Sequence, residues 1–145
     1  HRAINKPIHY NSKLYEGYMA GGTNALLDGY RGGLTYLDGR WQGYLDDLDC
    51  VIDMEEETDI HKVSIRFMQL TGPGVFQPGQ VELLTSEDGE NFISRGIVPT
   101  TVTADDPDLL FQEYTFDGNW KARYVRLKAP RANPGFIFAD EIVVW

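Results

Sequence analysis

The residues best suited to chemistry sit in one stretch, Asn24 to Tyr44, where a short pattern occurs twice. Leu27-Asp28-Gly29-Tyr30 is followed by Gly33, and Leu37-Asp38-Gly39-Arg40 by Gly43. Asp-Gly pairs favour tight turns, because glycine accepts positive φ and aspartate bonds back to its own backbone. A chain folded so sharply turns carbonyl oxygens towards a common point. With a carboxylate beside them, that makes a nest for a hard cation such as calcium. The stretch also carries Tyr30, Tyr36, Trp41 and Tyr44, flat rings of the kind that stack on ligands. The plainer alternative stays open: the turns only join strands and the rings only fill a core.

A search for a catalytic centre finds little. His1, His9 and His61 have no zinc-ligand spacing, and no nucleophile elbow, phosphate-binding loop or dinucleotide fingerprint occurs. Asp46, Asp47, Asp49 and Asp53 offer carboxylates of the type used in glycoside cleavage. However, Asp49 and Asp53 alternate with apolar residues, which makes them outward charges of a strand. The reading is a non-enzyme.

The chain has 145 residues, enough for one domain with a real core, and 22 acidic against 13 basic residues give a net charge of -9. Such a surface repels phosphate backbones and anionic lipid, so nucleic acid and membrane insertion are poor candidates. It suits a cation or a neutral ligand. Cys50 is the single cysteine, so no internal disulfide forms and compartment is not legible from cysteine usage. No signal peptide is legible and no apolar run reaches membrane-spanning length. The abrupt ends at His1 and Trp145 read as a piece of something longer.

The elements that must position these groups read as strands. Residues 1–20 form an irregular lead-in that holds one short strand at most. Leu48, Cys50, Ile52 and Met54 alternate with Asp49, Val51 and Asp53, a strand with one apolar face. Glu55 to Asp59 reads as an acidic turn, and Val63, Ile65 and Phe67 mark the next strand. The loop 69–80 holds Gly72-Pro73-Gly74 and Pro78-Gly79, which regular structure would not tolerate. Val81–Thr85 is a strand, Ser86–Asn91 a tight hairpin, and 99–109 an exposed loop. Strands follow at 111–116, Tyr124–Lys128 and Ile142–Trp145, with a loop at Pro130–Gly135. Seven or eight short strands without helical periodicity predict an all-β fold, an antiparallel β-sandwich or barrel.

Five segments carry a family resemblance: Ala25–Gly29, Asp49–Asp53, Ser86–Gly89 before Phe92, Ala122–Leu127, and Ala139–Ile142. In that order they resemble discoidin domains, the coagulation factor V/VIII type C domains that include family-32 carbohydrate-binding modules. The likeness spans roughly residues 20–145. With Ala20-Gly21-Gly22 and Asp38–Tyr44 added, the pattern is similar to modules at the C-terminus of Bacteroides-type family-20 β-N-acetylhexosaminidases.

The resemblance implies a galactose-binding-like jelly roll with a structural calcium ion. Its ligands would be the carbonyls of Ala25, Tyr30 and Gly33, the Asp28 carboxylate, the Asp140 carbonyl and the Glu141 carboxylate. Family members often carry Ser or Thr where Gly33 stands, which leaves this site one ligand poorer. It also implies a non-catalytic module that binds glycans, galactose- or N-acetylhexosamine-containing, beside the catalytic domain of a periplasmic, cell-surface or secreted glycosidase. Galactose-binding members often place Arg and Asn in the loop matching 69–80; here that loop offers Gln69, Phe76, Gln77 and Gln80. The candidate sugar-contacting residues are Tyr36, Arg40, Trp41, Phe76, Asn133 and Phe136, with Trp41 equally suited to a core. The alternative is a module that packs on its parent domain without binding sugar.

Overall fold

The computed structural model describes residues His1–Trp145. Its strands are β1 (Ile8–Tyr10), β2 (Gln42–Tyr44), β3 (Leu48–Gln69), β4 (Gln80–Ser86), β5 (Ile93–Pro99), β6 (Leu110–Ala129) and β7 (Ile137–Val144). Two single-turn 3-10 helices lie at Glu16–Tyr18 and Ala25–Leu27. All strand pairs are antiparallel, and β3 runs beside β6 from Leu48 opposite Ala129 to Gln69 opposite Leu110.

Each of these two long strands serves both layers. The first half of β3 pairs β1, and the second half of β6 pairs β4, whose other edge holds β5. The second half of β3 pairs β7, and β7 pairs β2. The result is one layer ordered β1-β3-β6-β4-β5 facing another ordered β6-β3-β7-β2. This is the expected antiparallel sandwich.

The acidic run 55–59 is not a turn between strands, as expected, but the bend of β3. Pairing with β6 continues through it, with register shifts between Asp53 and Thr58 and between Ile60 and Lys62. Glu55 takes a φ of 73° there. Extra residues in one strand bend it and steepen its twist, while Glu55, Glu56 and Glu57 stay hydrated outside the bend. The segments expected as separate strands, 48–54 with 63–67 and 111–116 with 124–128, are therefore the halves of β3 and β6. Because both strands fold over at one end, the loops 45–47, 70–79, 100–109 and 130–136 gather at the other, the loop end.

Leu48, Cys50, Ile52 and Met54 enter the core with Val63, Ile65, Tyr114, Val125, Leu127 and Ile142. Their polar neighbours face outward and pair across strands. Arg126 lies 2.7 Å from Asp49, and Arg123 lies 2.9 Å from Asp53. Burial alone would raise the Asp49 carboxyl, but Arg126 and Asn11 outweigh it and hold it below the ordinary value.

A second apolar cluster covers the outer face of the β7 layer. Trp41, Met68, Val75 and Phe138 form it, with Tyr18, Tyr36, Phe111 and Phe136 packed around them. All eight residues of β7 are buried in consequence. That strand starts at Ile137, earlier than the expected Ile142, because a strand covered on both faces shows no alternation. Gly43 of β2 lies directly beneath the Phe138 ring, where an added Cβ would come within 2.6 Å of the ring. Gly43→Ala is expected to destabilise the fold by about 1–3 kcal/mol through overpacking, read as a lowered denaturant midpoint with an unchanged slope.

Candidate functional site

The site begins with an irregularity in β7. Phe67 pairs with Ala139 and Ile65 with Ile142, so Asp140 and Glu141 together stand opposite Arg66. A strict alternation would send one of two adjacent carboxylates into the core. The extra residue instead lets both reach the loop that covers the outer face.

That loop is the doubled Asp-Gly stretch. The Gly29 N–H donates to Glu141 Oε2 at 2.8 Å, and His1 Nε2 lies 2.8 Å from the same oxygen. Asp140 Oδ2 accepts from the Gly32 N–H at 3.0 Å and from Arg66 Nε at 3.0 Å. Arg66 Nη2 also donates to the Gly32 carbonyl at 3.0 Å. Both Asp-Gly turns are self-capped: Tyr30 N–H donates to Asp28 Oδ1, and Arg40 N–H to Asp38 Oδ1, each at 2.9 Å. Gly29 and Gly39 adopt the positive φ that these turns require, 85° and 78°.

The two ends of the chain thus meet, and the Asp28 and Glu141 carboxyls face each other. Glu141 Oε1 is buried without any partner. Burial, followed by the neighbouring Asp28 and Asp140 carboxyls, pushes the Glu141 carboxyl up to about 8, with the Gly29 N–H acting the other way. No three His, Cys, Asp or Glu side chains gather as a metal-ligand set. A cation here would draw on two carboxylates and otherwise on carbonyls. Of the expected ligands, Ala25 and Tyr30 flank Asp28, while the Gly33 carbonyl accepts from Trp41 Nε1 at 3.2 Å. The Asp140 carboxylate is committed to Arg66, which sequence reasoning did not single out. The only signal for Arg66 was its place among the polar positions, with Ser64, of the alternating run Val63–Phe67.

A carboxyl whose folded pKa is raised favours folding below its ordinary value of 4.5, and that contribution is lost as pH rises towards 8. In metal-free buffer the melting temperature is expected to fall across this window. Glu141→Gln should flatten the fall. Arg66→Ala strands the fully buried Asp140 charge and is expected to cost about 3–5 kcal/mol, measurable by chemical unfolding.

The expected sugar-contacting residues divide. Trp41 is corrected: it is 1% exposed, stacks on Phe111 at 5.7 Å and carries Arg66 over its face at 5.1 Å, so it offers no platform. Arg40 is exposed and lies over the Tyr30 ring at 4.0 Å. Phe76 and Phe136 are joined by backbone, Phe76 N–H donating to the Phe136 carbonyl at 2.8 Å, and Asn133 shares that loop. Tyr18 links Phe136, at 5.2 Å between ring centroids, to Tyr36, at 6.1 Å. Sequence reasoning missed Tyr15, which is 38% exposed and packs edge-on against Phe136 at 5.1 Å. Its signal was weak, three tyrosines between positions 10 and 18 without a period.

Gln69, the last residue of β3, and Gln77, in the loop where the resemblance implied Arg and Asn in galactose-binding members, turn inward. Gln77 Nε2 donates to the Phe67 carbonyl at 3.0 Å and its oxygen accepts from the Tyr114 hydroxyl at 3.0 Å. They brace the loop and do not face a ligand.

Residues 8–142 match the family model of the F5/8 type C domain, and the chain belongs to that family. Solved structures share the fold. Chitosan-binding module 1 of a Paenibacillus sp. IK-5 chitosanase/glucanase is 14% identical, with a TM-score of 0.66 over 99% of this chain and 97% of that one. The Clostridium perfringens module CpGH89CBM32-5, solved with GalNAc-beta-1,3-galactose, is 19% identical, with a TM-score of 0.64 over 97% and 95%. A Streptococcus pneumoniae fucose binding module is 17% identical, with a TM-score of 0.69 over 99% and 93%. No curated protein matches the chain.

Proposed function

We propose that this domain is a non-catalytic glycan-binding module whose sugar lies on the rings at the loop end. The observation that carries this reading is the group Tyr15, Tyr18, Tyr36 and Phe136, which the fold holds together with Tyr15 reaching solvent. An aromatic face takes the apolar C–H patch of a sugar, and nearby polar groups take its hydroxyls. Family membership and neighbours described as chitosan-binding, fucose-binding and GalNAc-beta-1,3-galactose-bound support it. In this reading the module belongs to a longer periplasmic, surface or secreted glycosidase, of the β-N-acetylhexosaminidase kind, and holds that enzyme on its substrate.

Calorimetric titration with galactose- and hexosamine-containing glycans tests it. Tyr15→Ala and Phe136→Ala should each weaken binding by about tenfold or more, as loss of an aromatic anchor does; silence across the panel sinks the proposal.

The same proposal includes a structural cation. The facing Asp28 and Glu141 carboxyls, with the orphaned Glu141 Oε1, suit a hard ion such as calcium. Asp28 and Glu141 would hold it, with carbonyls of the Ala25–Tyr30 turn. The ion would neutralise a carboxyl pair that otherwise keeps a proton. Added calcium should therefore raise the melting temperature at pH 8 more than at pH 5, and Asp28→Asn should abolish the rise. An equal rise in the variant would exclude this site.

The second reading, a module that only packs against its parent domain, is favoured by the inward glutamines and the buried Trp41. Silence in the titration together with a stable, calcium-responsive fold would select it.

A further inference from the structure

We propose, on the strength of the glycan-binding reading, that the buried amide of Gln42 is the positioning group of the sugar site. It clasps the turn 19–22 and so holds the Tyr15 and Tyr18 rings where a sugar can meet them. Gln42 itself touches no ligand.

Gln42 belongs to β2 and is fully buried. Its Nε2 donates to the Met19 carbonyl at 3.3 Å and to the Gly22 carbonyl at 3.0 Å. Its Oε1 accepts from the Tyr44 hydroxyl. The Tyr10 hydroxyl, which donates to the Thr23 carbonyl at 2.8 Å, lies 3.1 Å from the same oxygen. Two carbonyls on one side and two hydroxyls on the other fix which way the amide points, because only its NH2 end donates twice. The lead-in is otherwise loosely tied. Ser12 is bonded to Asp49 at 3.0 Å. From residue 13 to residue 22 the two Gln42 bonds are the only hydrogen bonds to any strand. The rest are local: Tyr18 N–H to the Tyr15 carbonyl at 3.2 Å, Gly22 N–H to the Met19 carbonyl at 3.0 Å, and Ala25 N–H to the Gly22 carbonyl at 3.1 Å.

The turn needs such a clasp. Ala20 takes a φ of 52° and Gly22 one of 107°. A residue with a side chain keeps a left-handed backbone only where its surroundings over-determine it. Tyr18 leads directly into this turn. Ring contacts press Tyr15 onto Phe136 and Tyr18 onto Phe136 and Phe138, but they do not fix the backbone that carries the rings. With the clasp gone, a sugar would have to order two rings as it binds, which costs about fivefold in affinity or more.

The test is calorimetric titration with galactose, N-acetylglucosamine and glucosamine oligomers, beside NMR spectra of the tyrosine rings. Gln42→Met keeps the volume and removes both bonds to the turn. It should weaken binding about fivefold or more and shift the ring signals of Tyr15 and Tyr18, while those of Tyr114 in the core stay in place. Leu83→Ala, a core truncation in β4, supplies the comparison. It lowers the melting temperature without touching the clasp and should bind as the unaltered domain does. Where Gln42→Met does not fold, Gln42→Glu takes its place, since it still accepts from the hydroxyls but sets an oxygen against the two carbonyls. Unchanged affinity in a folded Gln42 variant overturns the proposal. So does an equal loss in Leu83→Ala, because general destabilisation then explains both. Either result leaves the glycan reading intact, whereas silence of the unaltered domain with every oligomer sinks that reading and the role of Gln42 with it.

Discussion

The structure depends on how two adjacent carboxylates, Asp140 and Glu141, are accommodated in a strand buried along its whole length. Desolvated carboxylates are tolerated only with compensating charge or hydrogen bonds. Arg66 supplies the charge for Asp140. The Gly29 and Gly32 amides and His1 supply hydrogen bonds from a segment more than a hundred positions away in the chain. The bulge in β7 and the doubled Asp-Gly turn are thus two halves of one device. Neither makes sense alone: the bulge would strand charges, and the turns would have nothing to close upon.

Closing the loop over β7 has a packing consequence. It brings Trp41 onto Phe111 and Phe138 and makes a second apolar layer on the outside of the sandwich. The largest ring of the loop is consumed as structure, with its indole N–H fixed on the Gly33 carbonyl. Tyr15, Tyr18, Tyr36 and Phe136 stand together at the margin of this layer. They are held edge-on by one another, so a ligand would meet a surface with little side-chain entropy left to lose.

Legibility in the sequence follows the same physics. Leu48, Cys50, Ile52 and Met54 announced a strand because one face of the first half of β3 meets core and the other meets water. β7 hid its start because both faces are covered, and the bend at Glu55 looked like a turn because three hydrated glutamates carry no strand signal. The meeting of Asp28 with Glu141 was legible only through family likeness, since spacing says nothing about contacts across the chain. Trp41 was ambiguous in principle: a tryptophan in a glycine-rich loop reads the same whether the loop lies open or folds back onto a sheet. Tyr15 was hidden because an irregular lead-in offers no period from which to infer its direction.

The two ends of the sandwich differ for a topological reason. β3 and β6 fold over at Glu55 and near Gly118, so one end is closed by continuous strands while four loops converge at the other. Those loops are bound to one another by main-chain groups: Gly79 N–H to the Pro130 carbonyl, and Phe136 N–H to the Gly74 carbonyl. Glutamines buried beneath them, Gln69 and Gln77, fasten them to β3 and β6. Backbone groups and buried amides thus supply much of what holds the loop end together.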